Sequence, residues 1–356
     1  MVIVVVCLNT YANDLQGLKD FCILRPKILK NIVIMSLLKR SVLFLGVLFF
    51  SVSLMAQSVA DAGGLYNDGN TYYKEKDYSS AVTAYEEALE MAKLVGSEAD
   101  ELKGKIENQL VKAYYADATG LYKKKKFDEA IAAYEKTAAF ANEVGDSDRA
   151  KKSTTNIAKV RTTKGTSLLK QNKVDDAIVE FDKSLEIYPK YYKTYYGMML
   201  AYKSKGDIAK MMENADKVIE YGGANSKAAK TVKKTKSTTS KALVNAGAKE
   251  IQRERPAGAI KYINDSFKYA DGNANAYYYL ALAYSKENKF DDAISAAQKA
   301  ISIEPEKDKA DVYFALGLAY EGKGDSTNAC DAYKKVTSGP NVEAAKYQMT
   351  QVLKCG

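Results

Sequence analysis

The sequence has no histidine and no tryptophan, and only five prolines and four cysteines in 356 residues. Each shortage excludes something. Histidine is the usual general base near neutral pH and the commonest metal ligand. Without it, any catalysis would run on carboxylates, lysines or tyrosines alone. The chain is therefore read as no enzyme, with no cofactor and no metal. Few prolines and abundant Ala, Lys, Glu and Leu leave helices uninterrupted, which predicts an all-α protein. No Cys-x-x-Cys spacing occurs, so zinc and redox motifs have no support. Cys7 and Cys22 lie near the N-terminus and Cys330 and Cys355 near the C-terminus. On continuous helices the offsets of Cys330 and Cys355 do not line up well, so the pair stays open between a bridge and two thiols.

Long hydrophobic runs are also scarce. The run Val42 to Leu54 has 13 residues, short for a membrane-spanning helix. From Met35 the chain reads MSLLKRSVLFLGVLFFSVSLMAQS. Lys39 and Arg40 precede the apolar run, and Met55-Ala56 precede Gln57, which is the three-part layout of a secretory leader. Residues 35–56 are expected to be a signal peptide, and 1–34 an upstream extension of the reading frame. The alternative is a hydrophobic hairpin at the N-terminus. No cysteine follows the run, so a lipoprotein anchor has no support. The expected location is exported, periplasmic or cell-envelope associated. Removing 1–56 takes six basic and two acidic residues from 53 and 44, leaving a net of +5 where the full chain has +9. Mild basicity of this kind is a solvated surface rather than a nucleic-acid footprint.

What the chain does have is repetition. KDYSSAVTAYEEALEMA (76–92) returns as KFDEAIAAYEKTAAFA (126–141), KVDDAIVEFDKSLEIYP (173–189) and KFDDAISAAQKAISIEP (289–305). Ala81, Val82, Tyr85, Ala88, Leu89 and Ala92 fall at helical spacing on one face. Each phrase follows a helix with a small residue and then a larger one three positions later: Gly69 with Tyr72, Gly165 with Leu168, Ala281 with Tyr284, Gly317 with Tyr320.

This pattern resembles the tetratricopeptide repeat family, exported bacterial type. Tyr313, Leu316, Gly317, Tyr320, Ala329, Tyr333 and, slightly late, Pro340 match its motif best. Tyr277, Leu280, Ala281, Tyr284, Ala293, Ala300 and Pro305 follow. The resemblance implies a right-handed superhelical solenoid of about seven helix hairpins, anchored on Gly69, Ala118, Gly165, Met199, Gly247, Ala281 and Gly317. It spans 57–341, with the fourth and fifth copies degenerate and 342–356 as a capping helix. Anchors are 34 to 36 residues apart in three intervals and 47 to 49 in the other three. The flanks of the long intervals lack proline, so longer helices are expected there rather than inserted loops.

In this family the first helix of each hairpin lines a groove that holds peptides or helices. Projected here, the position three before each anchor gives Tyr66, Tyr115, Thr162, Tyr196, Val244, Tyr278 and Phe314. Lysines edge this stripe at Lys112, Lys159, Lys193 and Lys241, and at Lys74, Lys123, Lys170 and Lys286. Tyrosines supply contact area and lysines attract acidic segments, so the implied partner is a protein with acidic and apolar side chains. The competing reading makes the tyrosines packing residues and the lysines a solvated rim. Asn67 and Asn70 echo a clamp for a C-terminal carboxylate, but Tyr66 stands where a basic residue belongs, and that activity is not claimed.

Two stretches lack carboxylates: Arg149 to Lys173 with eight basic residues and Lys227 to Lys249 with seven. They suggest an alternative, a structural bridge docked on anionic envelope components. Nucleic acid is not expected, because stacking aromatics are not interleaved there. The near-match to a phosphate loop over Gly317–Gly324 lacks its Ser or Thr and is discarded. The expected function is a non-catalytic interaction scaffold of the cell envelope, with oligomeric state open.

Overall fold

The computed structural model describes residues 58–303 and 309–355. The expected extension, the leader and Pro305 lie outside the described residues. Fifteen α-helices follow in chain order, and among the described residues there is no strand. They are α1 (58–75), α2 (Tyr78–Val95), α3 (Asp100–Lys123), α4 (Phe127–Glu143) and α5 (Ser147–Lys170). Then come α6 (Val174–Ile187), α7 (Tyr192–Lys205), α8 (Ile208–Gly222), α9 (Ala229–Gln252) and α10 (Pro256–Phe267). The last five are α11 (Ala274–Lys286), α12 (Phe290–Ile303), α13 (Ala310–Lys323), α14 (Ser326–Tyr333) and α15 (Val342–Tyr347).

One turn, used seven times, joins each odd-numbered helix up to α13 to the next. A left-handed residue ends the first helix: Lys76, Lys125, Asn172, Gly206, Glu254, Asn288 and Gly324, with φ between 56° and 82°. The backbone N–H directly after that left-handed residue reaches back to an orphan carbonyl. Asp77 donates to Tyr72, Lys173 to Leu168, Asp207 to Tyr202 and Asp325 to Tyr320, all at 2.9 or 3.0 Å. This is the Schellman solution to the unpaired carbonyls of a helix end. Asp77, Asp207 and Asp325 then cap the following helix, each accepting from the backbone N–H three residues on.

The chain divides into two compact units, Met1–Gly120 and Leu121–Gly356. In the first, Tyr85 of α2 is fully buried and its hydroxyl donates to Asn70 Oδ1 of α1 at 2.9 Å. The Tyr114 hydroxyl of α3 donates to Glu86. The second unit is a helical repeat solenoid. Each helix packs on its chain neighbour, and α5, α7, α9, α11 and α13 also touch one another in succession. The long anchor intervals are long helices: α3, α5 and α9 have 24 residues each, against 13 or 14 for α7, α11 and α13.

The anchors explain the close packing inside each pair. A Cβ on Gly69, Gly165 or Gly247 would lie 2.6 Å from the side chain of Tyr85, Phe181 or Ile263. Only hydrogen fits there. The fourth copy reverses the pair: Met199 on α7 and Ala215 on α8 are both fully buried in one cluster. Large and small have changed sides at the same sequence offset, so volume is kept. What looks degenerate in sequence is complementary in packing.

Helix α5 carries a buried polar pair of clusters. Thr162, Ser184 and Thr194 exchange hydroxyl hydrogen bonds of 2.7 to 3.1 Å across α5, α6 and α7. Glu180, nearly buried on α6, meets Arg161 at 3.2 Å and Lys164 at 3.0 Å. Lys164 also pairs with Asp128 at 2.5 Å. Two cations of the carboxylate-free stretch Arg149 to Lys173, Arg161 and Lys164, thus find their partners on neighbouring helices, which the linear sequence hides.

The C-terminus departs from a plain capping helix over 342–356. Helix α15 stops at Tyr347, and Gln348–Val352 form a π-helical turn. Leu353 N–H donates to Gln348 O, and Cys355 N–H to Met349 O, both at 2.8 Å. That turn brings Cys355 back to Cys330, and the two form a disulfide with Cα atoms 5.9 Å apart. The offsets that argued against a bridge assumed a straight helix. The segment packs Val342, Ala345, Met349 and Leu353 over Ala329, Tyr333 and Val336.

Candidate functional site

The aromatic stripe projected from the sequence is half-buried. Tyr66, Tyr115, Tyr196, Tyr278 and Phe314 are all of intermediate exposure, and Thr162 and Val244 are buried. Their rings lean on their own repeats: Tyr66 lies 5.9 Å from Tyr85 and Phe314 5.7 Å from Tyr333. Tyr196 packs on the α7–α8 core, and Lys234 of α9 sits 5.7 Å over its ring. The rim lysines Lys74, Lys123, Lys159, Lys193 and Lys286 are exposed, and Lys112 is half-buried. Asn70, the clamp-like residue, is engaged by Tyr85.

Within the second unit, three clefts bring parts of this surface together. One of about 460 Å³ lies at the N-terminal ends of α11 and α13 and includes Tyr278, Tyr279, Lys309 and Asp311. Burial, and secondarily the charge of Asp311, pushes the Tyr278 hydroxyl up to about 12. It therefore stays a neutral donor. A second cleft, about 370 Å³, opens between α5 and α7, lined by Thr166, Leu169, Lys170, Leu200, Lys203 and Ser204. A third, about 350 Å³, lies between α7 and α9 and is lined in part by Lys203, Ala242, Lys249, Arg253 and Tyr262. Lys203 lines both of the last two. These volumes suit one or two side chains of a partner.

Sequence reasoning had named Tyr278 and Lys170 on these clefts. It missed Lys203 and Arg253, and it had placed Lys249 in the basic stretch rather than in the groove. The available signal was the acidic start of the second helices. Asp175 and Asp291, in the first turns of α6 and α12, receive Lys205 and Lys323 of the following repeat at 2.5 and 2.6 Å. On α8 Ala209 stands at that position, and Arg253, paired only with Glu250 of its own helix, lines the third cleft.

Comparison with known proteins follows the same segments. Tetratricopeptide repeat models match residues 62–93, 274–307 and 310–338. No curated protein matches the chain. Among solved structures, the MamA protein is similar over 55% of this chain and 95% of its own, at 23% identity and a TM-score of 0.36. YrrB, described as a tetratricopeptide repeat protein with an unusual peptide-binding site, covers 54% and 91% at 18% identity and 0.36. The TPR2AB domain–pHSP90 complex of yeast Sti1 covers 83% and 96% at 16% identity and 0.32. The chain thus carries tetratricopeptide repeats in three of its helix pairs, and the four pairs that no family model reaches use the same turn.

Proposed function

We propose that this protein is a non-catalytic interaction scaffold of the cell envelope that holds a partner segment along its first helices. The observation that carries this is the succession of clefts between α5, α7 and α9, edged by lysines and floored by apolar side chains. Such a surface suits a segment with acidic and apolar residues. The envelope setting rests on the leader-like residues 35–56 and is supported by the Cys330–Cys355 bridge, a bond that persists in oxidising compartments. The test is a cross-linked pull-down from the envelope with the full chain and with a Lys170→Glu, Lys193→Glu, Lys203→Glu variant whose helix content is verified by circular dichroism. Recovery of one protein by the wild type and its loss by the folded variant is expected. Equal recovery would count against the groove.

A second reading, docking on an anionic envelope component, is favoured by α9. Its six lysines and Lys227 in the turn before it are all exposed, and among the described residues none forms an ion pair. Salt separates the two, since purely charge-driven docking weakens steeply as ions screen it.

A further inference from the structure

The junction between the fourth and fifth repeats keeps the turn cation found at the third–fourth and sixth–seventh junctions but lacks the carboxylate that pairs with it there. The residue just before the left-handed turn is a cation three times in the second unit beyond α5: Lys205, Arg253 and Lys323. Lys205 and Lys323 each bind an aspartate in the first turn of the preceding repeat's second helix, Asp175 at 2.5 Å and Asp291 at 2.6 Å. For Arg253 the corresponding position on α8 is Ala209, so no acid is available. Arg253 turns instead to Glu250 of its own helix at 3.0 Å, and remains 64% exposed.

The third cleft opens at this junction. Three cations, Lys203, Lys249 and Arg253, line it with one carboxylate, Glu250. Lys203 and Lys249 form no ion pair among the described residues. Ile208, Ala242, Ala246 and the Tyr262 ring supply apolar wall. At the third–fourth and sixth–seventh junctions an exposed aspartate of the preceding repeat pairs with the turn cation. Here the same complement must come from outside.

We infer that this cleft receives an Asp or Glu side chain of an extended partner segment, its carboxylate accepting from Arg253 and Lys249 as Asp175 accepts from Lys205, with an apolar neighbour of that residue against Tyr262. The inference rests on the scaffold reading and names the chemistry of one of its subsites. A carboxylate is favoured over a bare anion because the repeats themselves answer this geometry with one, and because the wall beside the cations is apolar. Charge-assisted hydrogen bonds of this kind are among the stronger polar contacts.

Ala209→Asp is the discriminating variant. It restores the internal acid at an exposed first-turn position, where a negative charge suits the helix N-terminus, so the fold is kept. Binding of a fluorescein-labelled twelve-residue peptide of alternating Glu and Leu to the full chain is measured by anisotropy, beside a peptide with Gln for Glu. The wild type is expected to bind the Glu peptide, and both Ala209→Asp and Lys249→Gln to weaken it about tenfold or more, with unchanged melting profiles. The Gln peptide is expected to bind no better than the variants do. Failure of the wild type to bind, equal binding by Ala209→Asp, or equal binding of the Gln peptide would each overturn the inference. So would displacement by inorganic phosphate at the peptide's own concentration, which marks a free-anion site. Binding that survives Ala209→Asp but is lost in Lys170→Glu, Lys193→Glu overturns this cleft while leaving the scaffold reading standing.

Discussion

Lys125 and Glu254 hold left-handed φ values of 62° and 56° at turns where Gly206 and Gly324 do the same work without a Cβ. A non-glycine residue in that region is strained by about 1–2 kcal/mol, partly offset by the greater freedom glycine has when unfolded. Lys125→Gly and Glu254→Gly are therefore expected to raise stability by about 0.5–1 kcal/mol each, seen as a higher denaturant midpoint at constant slope. The anchors act in the opposite sense. Gly165→Ala places a methyl 2.6 Å from the Phe181 ring and 3.0 Å from a backbone carbonyl of Ala177. The carbonyl cannot yield, so a loss of about 1–3 kcal/mol is expected. The small anchors were legible from sequence because family spacing marks them. The exchange of Met199 with Ala215 was not, because it is a property of two positions considered together.

At the scale of the element, α6 is held by Glu180 between Arg161 and Lys164 of α5. Removing the acid takes the buried partner from two poorly solvated cations, leaving them only the exposed Glu135 and Asp128. Glu180→Ala is expected to cost about 3 kcal/mol, and Glu180→Ala combined with Lys164→Met clearly less than the sum of the single changes, measured as a double-mutant cycle. The C-terminal segment is tied differently. The Cys330–Cys355 bridge closes 25 residues over the last repeat. Its removal by Cys355→Ser is expected to destabilise by about 2–4 kcal/mol. Native-state hydrogen exchange is expected to show the loss concentrated in α14 and α15, with α5 to α7 still protected. The pairing lay hidden in the sequence because a π-helical turn at Gln348–Val352 changes the direction in which Cys355 faces, and nothing in VEAAKYQMTQVLK announces that turn.

For the whole molecule, stability in a repeat array is a sum of units and the interfaces between neighbours. Partner binding adds to it by mass action. The Glu–Leu peptide is therefore expected to raise the melting temperature of the wild type and to leave that of Ala209→Asp nearly unmoved, read by thermal scanning at several peptide concentrations. Raising salt separates the two surfaces in the same assay. Peptide seated against Tyr262 and Ile208 keeps part of its affinity through apolar contact, whereas attraction to the unpaired lysines of α9 is screened away.

The local chemistry of this protein was written along the chain. Helical periodicity, the small anchors and the family motif determined an all-α array and marked the tyrosines and lysines of its first helices, because each depends on residues within a turn or two of one another. Tertiary structure decided which charges are spent. Asp175 and Lys205 stand 30 residues apart, and Glu180 meets Arg161 across a helix pair, so pairing follows from stacking and not from sequence order. For the same reason Lys203 and Lys249, which form no ion pair among the described residues, and Arg253, which meets only Glu250 of its own helix, emerge as candidate binding groups only once the repeats are packed.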